Sequence, residues 1–109
     1  MKLVIVESPY AGDVERNLKY LRAAMADCLA RGEAPYASHA LYTQPGVLRD
    51  EVPEEREKGI KAGFAWGEVA ALRVFYTDLG WSGGMRAGLA EAERLGQAKE
   101  IRSVLGWTL

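Results

Sequence analysis

The sequence predicts an α/β domain built on a parallel sheet with helices on both faces. Two observations predict it. Short apolar, β-branched runs alternate along the whole chain with stretches of helical periodicity, and strand–helix alternation implies right-handed crossovers between parallel strands. At 109 residues, with 49% hydrophobic and 27% charged residues, the chain also has the length and composition of one globular domain, here residues 1–109.

Leu3-Val4-Ile5-Val6 is the first strand, buried on both faces, and it breaks at once into Glu7-Ser8-Pro9-Tyr10-Ala11-Gly12. Asp13 is the expected N-cap of a first helix running to Arg31. Leu18, Leu21, Met25, Cys28 and Leu29 recur at helical spacing on its apolar face, and Gly32 stops it. Glu33 to Ser38 reads as a second strand, and Pro35, which donates no hydrogen bond, places it at a sheet edge. His39 to Val52 reads as a long loop around the Pro45-Gly46 turn. Pro53, followed by Glu54 and Glu55, begins a second helix to about Val69, with Ile60, Phe64 and Trp66 on its buried face. Ala70 to Thr77 is the third strand, centred on Leu72, Val74 and Phe75. Ser82-Gly83-Gly84-Met85 opens a third helix through Leu95, closed by Gly96, and Ile101 to Leu105 is the last strand.

The expected architecture is a flavodoxin-like three-layer sandwich with a four- to five-stranded parallel sheet in the order of about 2-1-3-4. In that order the first and third strands are neighbours, and the loops after them flank the switch point where such sheets bind ligands. The loops starting at Glu7 and Asp78 then face one crevice, with the Ser82 helix start beside them.

Composition excludes several functions. The net charge is −1 with both signs interspersed, so the basic stripe that a nucleic-acid polymer requires is missing. A single nucleotide needs only one or two cations. The lone Cys28 excludes an intramolecular disulfide and suits a reducing compartment, as a core thiol. Four apolar residues before Glu7 are too few for a signal peptide or a spanning helix, so the expectation is a cytoplasmic protein with no membrane partner. With His39 as the only histidine and no Cys/His cluster, no metal is expected, and no cofactor.

Two segments carry the candidate chemistry. The first loop and helix start offer the Ser8 and Tyr10 hydroxyls beside Pro9, the Asp13 carboxylate, the Arg16 guanidinium and the Asn17 amide. Sugar hydroxyls and phosphates call for such a set. The alternative is that Asp13 only caps its helix while Arg16 and Asn17 lie on a solvated face. Ser82, Gly83, Gly84 and Met85 form the second segment, where glycines before a helix admit an anion to unpaired amides; a plain capped turn is the alternative. His39, Tyr42 and Gln44 are expected as a polar wall. Ser38 and His39, adjacent on a strand, point to opposite faces and cannot act together as nucleophile and base. Trp81 is the tryptophan placed to stack on a base; Trp66 and Trp107 suit core or interface positions.

On these residues the chain resembles the small uncharacterised domains of bacterial and phage genomes that belong to the nucleoside 2-deoxyribosyltransferase-like superfamily. The resemblance runs through Ser8 to Asn17, Arg31-Gly32-Glu33-Ala34-Pro35, Ser38-His39, Pro53 to Ile60 and Ser82-Gly83-Gly84-Met85. It implies a flavodoxin-like fold, a pocket for a nucleoside or nucleotide, and assembly as a homodimer or higher homo-oligomer. Characterised members of the superfamily cleave or exchange N-glycosidic bonds, using a glutamate after the Gly-Met motif and an aspartate near the third strand. Here those positions are Gly88 and Ala71, which carry no carboxylate, and Glu91 lies one helical turn further on. Glu7 and Asp78 are the carboxylates expected to reach the crevice. The leading expectation is therefore a protein that binds a nucleotide or ADP-ribose-type ligand without cutting it, as in phage sequestration of a signalling nucleotide against host defence. The alternative is an N-glycosidase or deoxyribosyltransferase acting on (deoxy)nucleoside monophosphates through a relocated carboxylate.

Overall fold

The computed structural model describes residues 1–104, 106 and 107. Along the chain run β1 (Lys2–Glu7), α1 (Val14–Ala30), β2 (Glu33–Tyr36), α2 (Ser38–Leu41), α3 (Pro53–Gly67), β3 (Leu72–Tyr76), α4 (Gly83–Leu95) and β4 (Ala98–Arg102). The four strands form one parallel sheet in the order β2-β1-β3-β4. This is the doubly wound arrangement that the alternation predicts.

Strand register sorts the side chains into two layers. Val4 pairs with Leu72 and Val6 with Val74, and these face α1. With Tyr20, Leu21, Ala24, Cys28 and Tyr76 they make the main core. Ile5, Glu7, Arg73 and Phe75 alternate with them onto the other face, beneath α3 and α4. There α3 presents the buried glycines Gly63 and Gly67 to its neighbours, so its backbone lies close to the sheet.

The α1 side also buries a charge cluster. Arg102 of β4 binds Glu33 of β2 through two hydrogen bonds of 2.7 Å, and its Nη1 also reaches the Tyr76 hydroxyl at 3.4 Å. The Arg102 guanidinium holds the Glu33 carboxyl below its ordinary range, with burial opposing.

Several boundaries differ from those expected. The last strand begins at Ala98 rather than Ile101 and ends at Arg102; Leu105 lies outside the described residues. Ala98 to Ile101 are exposed, so this edge strand has no apolar run to announce it; its pairing with Leu72 to Tyr76 fixes its position. β2 stops at Tyr36 rather than Ser38, and Ser38 to Leu41 form a helical turn across the expected strand end and the start of the expected loop. Leu29 and Trp66 are exposed instead of buried, because the α1 core face is Tyr20, Leu21, Ala24 and Cys28 and the α3 face is glycine. Among the described residues no helix is long and apolar enough to cross a membrane.

Candidate functional site

A cleft of about 170 Å³ opens at the carboxyl end of the sheet, between the loop after β1, α2, α3 and the start of α4. Its floor is Ile5, Glu7 and Arg73 from the two central strands. Ser8, Tyr10 and Ala11 form one wall, Tyr36, Ser38 and His39 a second, and Ser82, Gly83 and Gly84 a third. Ile60, Gly63 and Phe64 of α3 close the fourth side, with Arg56 and Asp50 at the rim.

The loop after β1 is held from behind. The Asn17 amide donates to the carbonyls of Tyr10 and Ala11 at 2.9 and 3.1 Å. Asp13 accepts from the Arg16 backbone as the α1 N-cap, and the Arg16 guanidinium donates to the Asn17 side chain. Asp13, Arg16 and Asn17 thus shape the loop but do not line the cleft, the alternative left open for Asp13.

Glu7 is the most perturbed carboxylate. Its side chain is 15% exposed and accepts from Nη1 of Arg73 at 3.2 Å. Desolvation outweighs the guanidinium and raises its pKa to about 7. Space for the carboxylate comes from α4: a Cβ on Gly88 would overlap it, coming within 2.6 Å of Cδ. The place where a side chain of residue 88 would begin is occupied by Glu7.

Arg73 is 1% exposed, the largest fully buried side chain. Its Nε donates to Gln97 at 3.1 Å, and Gln97 in turn donates to the carbonyls of Gly67 and Ala70. The guanidinium carbon lies 5.9 Å from the centre of the Phe64 ring, and Nη2 has no partner among the described residues. Sequence reading missed Arg73 because it sits inside an apolar strand; a lone charge in Leu-Arg-Val-Phe-Tyr was the available signal. Arg56 and Asp50, 3.7 Å apart, were missed because they lie on the outer rim.

His39 and Ser8, from separate elements, are hydrogen-bonded at 2.8 Å between Nε2 and Oγ. Burial lowers the His39 pKa to about 4, so the ring is neutral near pH 7. At α4, Ser82 caps the helix by accepting from the Met85 amide at 3.2 Å. The two amides before it, of Gly83 and Gly84, have no acceptor within the helix.

Other expected site residues lie elsewhere. Asp78 turns to the α1 side, where it accepts from the Tyr20 hydroxyl at 2.6 Å and the Val104 amide at 2.7 Å. Burial opposes its ionisation, yet these hydrogen bonds hold the carboxyl below its usual range. Trp81 stacks on Phe75, ring centres 5.2 Å apart, and is taken up by that contact. Gln44 donates to the Ala40 carbonyl on the surface. Tyr42 accepts hydrogen bonds from Tyr36 and Trp66 beside the cleft. Pro9 and Met85 are buried, and neither lines the cleft. Ala71 precedes β3 at the opposite, amino end of the sheet, and Glu91 is paired with Arg94. Among the described residues no group of three or more His, Cys, Asp or Glu could hold a metal.

A family model described as "Domain of unknown function (DUF7768)" matches residues 2–102. No curated protein matches the chain.

Proposed function

The chain belongs to the DUF7768 family, and we propose that it binds a nucleotide or ADP-ribose-type ligand in the cleft at the carboxyl end of its sheet. The observation that carries this reading is convergence. A buried carboxylate–guanidinium pair, a hydroxyl–imidazole pair and the free first amides of a 13-residue helix meet around one cavity. Hydroxyls of a sugar suit the Glu7, Ser8 and His39 end, and a phosphate suits the α4 amides with Arg56 at the rim. About 170 Å³ is the size of a sugar or a base rather than a whole nucleotide. The remainder of the ligand extends over the adjoining grooves, which share Asp50, Arg56 and Ile60 with one another. A protein that holds such a ligand intact suits sequestration of a signalling nucleotide, the role that the likeness to deoxyribosyltransferase-like domains suggests.

One observation favours a second reading, cleavage of an N-glycosidic bond. Glu7 fills the space that Gly88 leaves empty, where deoxyribosyltransferase-like enzymes carry a glutamate on this helix. Under this reading the Glu7 carboxylate serves the anomeric carbon of the nucleoside, where an oxocarbenium-like transition state calls for a carboxylate.

Calorimetry against nucleoside monophosphates, ADP-ribose and its cyclic isomers tests binding. A Kd below millimolar for at least one is expected, and no heat from any contradicts the proposal. Chromatography of the same mixtures separates the two readings. Intact ligand supports binding alone, whereas free base that disappears in Glu7→Gln establishes cleavage.

A further inference from the structure

The cleft contains a pair of side chains whose arrangement exceeds what holding a nucleotide requires. Ser8 leaves the carboxyl end of β1, His39 lies in α2, and their 2.8 Å hydrogen bond joins residues 31 apart in sequence. Ser8 is itself buried, but both residues line the cavity. A serine hydroxyl held on an imidazole nitrogen is the nucleophile–base arrangement of acyl transfer. No carboxylate or cation contacts the ring among the described hydrogen bonds and ion pairs; burial keeps the imidazole neutral, with Nε2 on the Ser8 hydroxyl. The same cavity is lined by Gly83 and Gly84, the first residues of α4, whose amides have no acceptor within the helix and are donors of the kind a tetrahedral oxyanion needs. Ile60 and Phe64 supply an apolar wall for a short acyl chain.

We propose that Ser8 and His39 form an acyl-transfer pair that hydrolyses small carboxylic esters. Ser8 Oγ attacks the ester carbonyl carbon while its proton passes to Nε2 of His39, and the carbonyl oxygen takes up the negative charge opposite the α4 amides. The carbon–oxygen bond to the alcohol breaks, and the alcohol leaves with the proton from His39. Water then gives a proton to the same nitrogen as its oxygen attacks the acyl carbon; the bond from that carbon to Ser8 Oγ breaks, Oγ takes the proton back from Nε2, and the carboxylic acid leaves. None of these steps needs a nucleotide, so the proposal stands or falls apart from nucleotide binding.

Labelling the full chain with a fluorophosphonate, followed by peptide mass mapping, tests it. One adduct on Ser8 is expected, absent in Ser8→Ala and slowed about 100-fold or more in His39→Gln, which keeps a hydrogen-bonding group but cannot act as a base. Competition by p-nitrophenyl acetate on the unaltered protein should slow labelling, and this readout requires no variant. No adduct on Ser8, an adduct on another serine alone, equal rates in a folded His39→Gln, or no competition overturns the proposal.

Discussion

A carboxyl and an imidazole share one cleft, and burial drives each towards its neutral form. Glu7 titrates near 4.5 when unfolded and near 7 when folded, so the folded protein holds an extra proton across that interval. Its contribution is present below pH 4.5 and is lost as pH rises to about 7, a change of up to about 3 kcal/mol. His39 titrates near 6.5 unfolded and near 4 folded, so it favours the folded state above pH 6.5 and loses that contribution as pH falls to 4. The two slopes oppose each other, and urea unfolding of the parent chain should show stability nearly flat from pH 4.5 to 6.5. Glu7→Gln should then gain stability as pH rises through this window, and His39→Gln should lose it. Parallel slopes in the two variants would contradict the assignment. The Glu7 position also depends on its neighbour: Gly88→Ala should displace the carboxylate and cost about 1–3 kcal/mol. Gly84→Ala, whose nearest contact is 3.8 Å away, tests the same change without the clash and should cost less. That Glu7, Ser8, Tyr10, His39 and Ser82 to Gly84 line one cleft was legible in the sequence, because the loops after the first and third strands of such a sheet open onto the same crevice. Asp78 and Trp81 were misplaced because Tyr20 and Phe75 claim them, and no local pattern shows which face a loop side chain takes.

At the scale of elements, the α1 side depends on a polar clasp as well as on apolar packing. Arg102 and Glu33 lie on the two edge strands and meet beneath α1 in a bidentate pair. Removing one member leaves the other charged and buried, which typically costs about 3–5 kcal/mol. Arg102→Met should therefore lower the urea midpoint sharply, and the double variant with Glu33→Met should recover much of the loss. Equal destabilisation by single and double variants would show that the pair does not act as a unit. β1, α1, β3 and α4 were readable from periodicity because each buries a distinct face. β4 was displaced by three residues, since a solvated edge strand is positioned by its partner rather than by its own pattern. The turn of α2 was hidden for a related reason: its four residues bury none of their side chains fully.

For the whole molecule, strand order connects fold to site. The order β2-β1-β3-β4 puts α1 on one face and α3 and α4 on the other, so the chain parts at the carboxyl end of β1 and the cleft opens there. That consequence followed from the alternation of elements alone. The buried Arg73–Glu7 floor did not, because it depends on which residues of adjacent strands fall in register, Ile5 with Arg73 and Glu7 with Phe75. The most direct test of the nucleotide reading is a ¹H–¹⁵N correlation spectrum of the labelled chain, with and without millimolar ADP-ribose or a nucleoside monophosphate. The account predicts shifts concentrated on the amides of Glu7, Ser8, Tyr10, His39, Gly83 and Gly84. An unchanged spectrum, or shifts confined to β4 and the outer face of α1, would contradict it.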